Sequence, residues 1–272
     1  QINEVPERTE MLAAQLARFV GLGAVGARGG ACRCLTTPTS PTLLKTTKLL
    51  VCDMAGTTVD EGGLVYTTLR ESMCAAGLEV SESDMHPWHG AAKEEVVDHF
   101  VGVRNPEASV AAKADLAASI SGGFEQQLEE AYLAPGSTLA LIDPTLPDYF
   151  AELRSRGVKV ALNTGYPRQL QGAILERLNM VDMVDAYISA QDVPRGRPSP
   201  YMVHRLMEML DVEDVRTVAK AGDTERDIGE GFNAGCGQVI GVLSGADSEE
   251  ALRLVGADTI VSNIARLPLA DR

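Results

Sequence analysis

From Lys48 onward the chain alternates between two rhythms. Short aliphatic and β-branched runs of strand length occur at KLLVCD (48–53), VKVALNT (158–164), AYISA (186–190), RTVAKAGD (216–223), QVIGVL (238–243) and DTIVS (258–262). Most are separated by longer stretches whose apolar residues recur every three or four positions, as in PTLPDYFAELRSRG (144–157) and PYMVHRLMEML (200–210). Strands this apolar, alternating with amphipathic helices, predict an α/β fold: a Rossmann-like, doubly wound parallel sheet with helices on both faces. One interval breaks the rhythm. Between DEGG (60–63) and LIDP (141–144) lie the helical patterns LVYTTLRESMCAAG, AAKEEVVDHFVG, PEASVAAKADLAASI and GGFEQQLEEAYL, with no convincing strand. A helical insertion after the first strand is expected, hinged at the glycines of EGG and the proline of LIDP, with Asp60 as a hinge or capping residue. The division is then a leader (1–46), a core (47–63 and 141–272) and the insertion (64–140).

A chain of 272 residues is long enough for one core domain with such an insertion. No run approaches 18 uninterrupted apolar residues, so no membrane span is expected. The formal charge of −14 is uneven: residues 1–10 contribute −2 and residues 11–52, which have no acid, +5, leaving −17 for residues 53–272. An acidic body of this kind repels nucleic acid and anionic membranes, which excludes both as expected partners. The leader, MLAAQLARFVGLGAVGARGG followed by TTPTSPT, reads either as an organellar transit segment with a linker or as a disordered leader. An intracellular location is expected, cytoplasmic, or mitochondrial or plastid if the leader is a transit peptide. Five cysteines at no framework spacing fit a reducing compartment, and Cys32 and Cys34 have no second pair to complete a zinc site.

Ligands of open α/β sheets sit at the carboxyl ends of the strands. The residues that follow each predicted strand are Asp53 with Gly56, Thr57 and Thr58, then Thr164 and Gly165, then Arg197 in DVPRGRPSP, then Asp223 with Asp227 four residues on. A carboxylate, a hydroxyl with nearby amides, a cation and an acid pair on one edge describe a phosphoryl-transfer site. An aspartate can attack phosphorus and form an acyl phosphate. Hard oxygen donors from Asp53 and Asp223, with Asp227 nearby, suit Mg2+; Ala55 joins this metal set. Thr164, Gly165 and Arg197 are placed to hold phosphoryl oxygens. Singly each signal is turn chemistry; their order and placement carry the reading.

The motifs DMAGTTVDEGGLVY, NTGY, DVPRGRPSPYM and AGDTERDIGEGFNAG resemble those of haloacid dehalogenase superfamily hydrolases, and more narrowly of phosphonoacetaldehyde hydrolase and its phosphonatase-like sister group. The resemblance runs from about Lys48 to the end. It implies an all-helical C1-type cap inserted after the first strand, Asp53 as nucleophile, Mg2+ as cofactor, Lys93 in HGAAKEEVV as an imine-forming lysine, Tyr166 near an aldehyde, and in many members a homodimer formed through the cap. Most phosphatases and phosphomutases of the superfamily carry a second aspartate two residues after the nucleophile as general acid; here that position is Ala55. Loss of a positioned general acid removes a factor of about 100 to 10,000 in rate, which argues against ordinary phosphate esters and for a phosphonate, whose leaving carbanion needs an electron sink. An imine is such a sink. The sequence departs from the phosphonatase pattern where Val96 replaces a histidine, His89 a methionine and Gly63 a cysteine. Taken as a helical pair four apart, His89 and Lys93 would share a face, making His89 a candidate proton shuttle; a helix-capping role is the alternative. The expected activity is cleavage of the carbon–phosphorus bond of phosphonoacetaldehyde or a similar 2-oxoalkylphosphonate. The alternatives are a phosphomonoesterase or phosphomutase in which Lys93 only grips phosphate, and a non-catalytic phosphoryl-binding module.

Overall fold

The computed structural model describes residues 42–271. All but the last five residues of the leader therefore lie outside the described residues. Of those five, Leu43 packs against the core: it is buried, its N–H donates to the Pro268 carbonyl, and it bridges to Leu269.

Six strands form one parallel sheet: β1 (Leu49–Cys52), β4 (Lys159–Thr164), β5 (Ala186–Ser189), β6 (Val218–Gly222), β7 (Gln238–Val242) and β8 (Thr259–Val261), in the spatial order β5-β4-β1-β6-β7-β8. The sheet has β1 near its centre, and all four of its residues are fully buried. Because side chains alternate along a strand, Leu50 and Cys52 point to one face with Val160 and Leu162, while Leu49 and Val51 point to the other with Ala161 and Ile188. Helices α5 (Leu146–Ser155) and α6 (Arg168–Arg177) cover the first face through Phe150, Leu153 and Ile174. Helices α7 (Tyr201–Met209), α8 (Glu225–Ala234) and α9 (Glu249–Leu254) cover the second through Met202, Leu206, Ile228 and Leu252. The sheet is doubly wound, as the periodicity predicts.

Between β1 and β4 the chain makes the insertion: α1 (Leu64–Ala75), α2 (Glu82–Met85), a 3-10 turn at His86–Trp88, α3 (Lys93–Arg104) and α4 (Val110–Leu133). Two expectations are corrected here. The interval does hold a strand, β3 (Ala140–Leu141), which pairs antiparallel with β2 (Val59–Asp60), so a two-strand ribbon closes the foot of the insertion. With two residues on each side it carries too little alternation to register in sequence. And the patterns on either side of Gly122-Gly123 are one continuous helix, α4, whose buried stripe Ala117, Ile120, Phe124, Leu128 and Tyr132 runs through the glycine pair. Packing of that stripe outweighs the roughly 1 kcal/mol per glycine that helix propensity costs. Asp60 accepts from the Gly62 amide in a turn ahead of α1, where the sequence places a hinge or cap. Among the described residues no helix is long and apolar enough to cross a membrane.

Candidate active site

Asp53 follows β1, and its backbone N–H donates to Ala221 of β6 at 3.0 Å, which fixes the start of the loop to the neighbouring strand. Its carboxylate is buried and accepts from Arg197 Nη1 at 2.6 Å. Arg197 is itself 2% exposed and spends its whole guanidinium on the protein: Nη1 also reaches Asp227 at 3.1 Å, Nε reaches Glu230 at 3.3 Å, and Nη2 donates to the backbone and side-chain oxygens of Asn163 at 2.7 and 2.8 Å. Lys220, fully buried on β6, adds bonds to Asp227 at 2.7 Å and Glu230 at 3.5 Å. Arg197, expected to hold phosphoryl oxygens, lines the same cavity as Asp53 and clamps its carboxylate.

Helix α8 delivers the acids. Thr224 caps it, its hydroxyl accepting from the Asp227 amide while the Asp227 carboxylate accepts from the Thr224 backbone N–H in return, the reciprocal pattern that satisfies two orphan helix donors. Asp223, one residue earlier, accepts from Thr57 Oγ1 at 3.0 Å and from the Ala246 amide at 2.8 Å. Asp53, Asp223 and Asp227 bring one carboxylate oxygen each within 4.8 Å of one another. Burial, then the charges of Asp53 and Asp227, pushes Asp223 well above the usual carboxylate range. Burial likewise raises Asp53 against the pull of Arg197. For Asp227 burial is outweighed by Arg197 and Lys220, which hold it low. Asp53, Asp223, Asp227 and Glu230 against Arg197 and Lys220 leave a formal −2 in a buried site. Three hard carboxylates with that deficit fit a divalent ion of the Mg2+ type. Ala55 lines the same cavity beside them and has no side-chain donor to offer.

Gly56 and Thr57, candidates for substrate contact, shape the loop after β1, and Gly56 also lines the cavity. The Gly56 amide donates to Val59, its carbonyl accepts from Ser244, and the Thr57 hydroxyl is committed to Asp223. Thr164, at the end of β4, accepts from the Tyr166 amide at 3.1 Å and lines the cavity with Gly165. A Cβ on Gly165 would stand 2.5 Å from the Ala91 carbonyl of the insertion, so glycine is what allows the two segments to meet. Tyr166 is buried, with its hydroxyl 3.4 Å from that of Tyr132, which donates to Glu61 at 2.9 Å.

The insertion closes over this edge. The turn Gly90-Ala91-Ala92 brings Lys93, the first residue of α3, into a cavity of about 490 Å³ that Asp53, Thr164, Arg197 and Asp223 also line. Lys93 is 6% exposed; its Nζ donates to Tyr66 Oη at 2.9 Å and to the Ala91 carbonyl at 3.1 Å. Burial lowers its pKa to about 8, with Arg197 adding to that and Asp53, Glu61 and Glu94 opposing it. A lysine flanked by Glu94 and Glu95 in sequence is thus not a solvated surface charge.

His89 is not on α3. It ends the 3-10 turn, with its N–H donating to the His86 carbonyl at 3.2 Å, so the shared helical face expected of His89 and Lys93 does not exist. It reaches the cavity by stacking on Tyr66, ring centroids 4.1 Å apart. Burial, with His86 and Lys93, lowers it to about 4, and its buried Nδ1 has no hydrogen-bond partner among the described residues. His86 lies instead 4.0 Å from Asp247 of the core. Lys220, Glu230, Asn163 and Tyr66 lie within the strand and motif stretches quoted above, with no role assigned to them there. Glu230 had a signal, standing three residues after Asp227 on one face of α8; Lys220 interrupts an otherwise apolar strand; Tyr66 closes the motif DMAGTTVDEGGLVY, with no spacing that ties it to Lys93.

A family model for haloacid dehalogenase-like hydrolases matches residues 47–235. The chain belongs to that family. It is also 31% identical over 228 residues to the phosphonoacetaldehyde hydrolase of Syntrophobacter fumaroxidans, spanning 80% of this chain and 81% of that one. Among solved structures, a phosphonoacetaldehyde hydrolase-like protein from Oleispira antarctica superposes with a TM-score of 0.68 at 23% identity, covering 85% of this chain and 94% of that one. A β-phosphoglucomutase from Clostridium difficile gives 0.66 at 16% identity, covering 81% and 93%. Both show a shared fold. The hydrolase assignment and the parallel α/β core expected from the sequence therefore stand, as does the kinship with phosphonoacetaldehyde hydrolases.

Proposed function

We propose that this hydrolase cleaves the carbon–phosphorus bond of phosphonoacetaldehyde or a similar 2-oxoalkylphosphonate. The observation that carries the reading is the pairing, in one cavity, of a buried amine poised near neutrality, Lys93, with a carboxylate, Asp53, that has only Ala55 two residues on. An enzyme of phosphate esters needs an acid at that position; an enzyme that drains electrons into an imine does not.

In this account the helical insertion acts as a cap. The Lys93 amine condenses with the aldehyde and loses water to give a cationic imine. Asp53, aimed by Arg197, attacks phosphorus; the carbon–phosphorus pair moves into the imine and leaves an enamine, and phosphorus passes to the Asp53 carboxylate. Protonation and hydrolysis release the aldehyde from Lys93, and water cleaves the acyl phosphate. Asp53 and Asp223, with Asp227 adjoining and the Ala55 carbonyl beside them, would hold Mg2+, which supplies charge neutralisation between carboxylate and substrate. Thr164 keeps its hydroxyl proton free to donate to a phosphoryl oxygen. Seating of the cap excludes water until the imine has formed.

A phosphate-release screen with Mg2+ tests this, comparing phosphonoacetaldehyde, longer 2-oxoalkylphosphonates and sugar phosphates. Turnover confined to the oxophosphonates supports the reading. Faster turnover of a sugar phosphate would replace it with the phosphomonoesterase or phosphomutase alternative.

A further inference from the structure

The imine chemistry proposed above needs protons moved between nitrogen and oxygen inside a closed cavity, and the expected shuttle, His89, is neutral, off the helix and, among the described residues, bonded to nothing through Nδ1. Tyr66 is differently placed. Its oxygen accepts two hydrogen bonds, from Lys93 Nζ at 2.9 Å and from the Gly90 amide at 2.5 Å. With both lone pairs engaged, its own proton is left to donate, and among the described residues it has no acceptor; the ring lines the cavity. His89 stacked on one face and the Gly90 amide at the oxygen hold the ring in place.

We infer that Tyr66 is the proton relay for carbinolamine formation, the first covalent step on Lys93. The inference rests on the imine reading. As the Lys93 nitrogen forms its bond to the aldehyde carbon, the carbon–oxygen π pair passes to the oxygen. That oxygen takes the phenolic proton of Tyr66, while Tyr66 takes a proton from the nitrogen along the hydrogen bond already present. The product is a neutral carbinolamine and an unchanged tyrosine, so no charge is created in a buried site. A phenol held protonated by burial suits this exchange, because the ring never has to become a phenolate. The relay also accounts for how the cavity works with Val96 and Gly63 at positions that offer no proton.

The test is rapid-quench borohydride trapping of the Lys93 adduct with phosphonoacetaldehyde, in the wild type and in Tyr66→Phe, with inorganic phosphate binding measured on both. We expect Tyr66→Phe to bind phosphate as the wild type does, to reach the same adduct yield, and to form the adduct on the order of 100-fold more slowly. In the wild type the trapping rate in mixed H2O and D2O should bow as two moving protons require, and in the variant the curvature should disappear. Trapping at the wild-type rate in Tyr66→Phe overturns the relay while leaving the imine intact. A linear proton inventory in the wild type does the same without recourse to the variant, should that fold poorly. Absence of any wild-type adduct overturns the imine reading, and the relay with it.

Discussion

At the scale of single residues, burial does most of the chemistry. Lys93 is a surface residue by its neighbours in sequence and a cavity residue by its place in the fold, and that difference brings its amine to about 8. The free base is the reactive form, so its fraction grows with pH until the group is deprotonated. Imine formation should therefore rise roughly tenfold per pH unit below about 8 and level off above it, a profile that trapping rates between pH 6 and 9 would trace. Arg197 gives a second prediction at this scale. It joins Asp53, Asp227 and Glu230 from within the core, and removing one partner of such a network strands the others. Arg197→Met should cost about 3–5 kcal/mol in urea unfolding, beyond its effect on turnover. The residues legible in sequence, Asp53, Thr164, Arg197, Asp223 and Asp227, stand at or just beyond a strand end, in a connecting loop or in the first turn of the helix that follows, where chain order forecasts the ligand edge. Those that were not legible depend on distance. Glu230 meets Arg197 across 33 positions, and Tyr66 looks like one more apolar position of α1 until the fold brings Lys93 to its oxygen.

At the scale of elements, the fit between cap and core is set by small residues. Gly165 lets the turn after β4 touch the Ala91 carbonyl, and Gly90, at φ 76°, lets the turn before α3 lie against Thr224. Gly165→Ala should leave the core folded but hold the cap off its seat, lowering kcat on oxophosphonate while the unfolding midpoint moves little; the two readouts together separate docking from stability. Helix α4 gives the converse case. A Cβ at Gly122 or Gly123 would meet nothing within 4 Å among the described residues, so their conformational freedom serves no contact. Alanine at both should stabilise the protein by about 1 kcal/mol each, read as a rise in Tm. The hydrophobic pattern marked both halves of this helix but divided them at the glycine pair, since propensity is local and the packing of Phe124 and Leu128 is not.

At the scale of the whole molecule, the acidic body and the cluster of Asp53, Asp223 and Asp227 are one electrostatic problem. The site keeps a formal −2 among buried groups, which an ion of opposite charge relieves, and any ligand that binds only the folded state stabilises it by mass action. Saturating Mg2+ at about 100 times its Kd should add about 2.7 kcal/mol to the unfolding free energy. Asp223→Ala should abolish that increment. Thermal melts with and without the ion would show both. The α/β alternation and the place of the insertion were legible along the chain because a doubly wound sheet repeats one local unit. The two-residue ribbon of β2 and β3 was not, being too short to carry a period of its own. The same holds for the seating of the cap: its contacts, His86 on Asp247 and Arg226 over the Trp88 ring, join segments more than a hundred residues apart.

The central claim is that Lys93 becomes covalently bonded to the substrate carbon. Peptide mass mapping after borohydride reduction in the presence of phosphonoacetaldehyde measures this directly. One reduced adduct is expected on the peptide carrying Lys93, and none in Lys93→Arg, which keeps the charge and loses the nucleophile. An unmodified Lys93 in a wild-type enzyme that is turning over, or full turnover by Lys93→Arg, would contradict it.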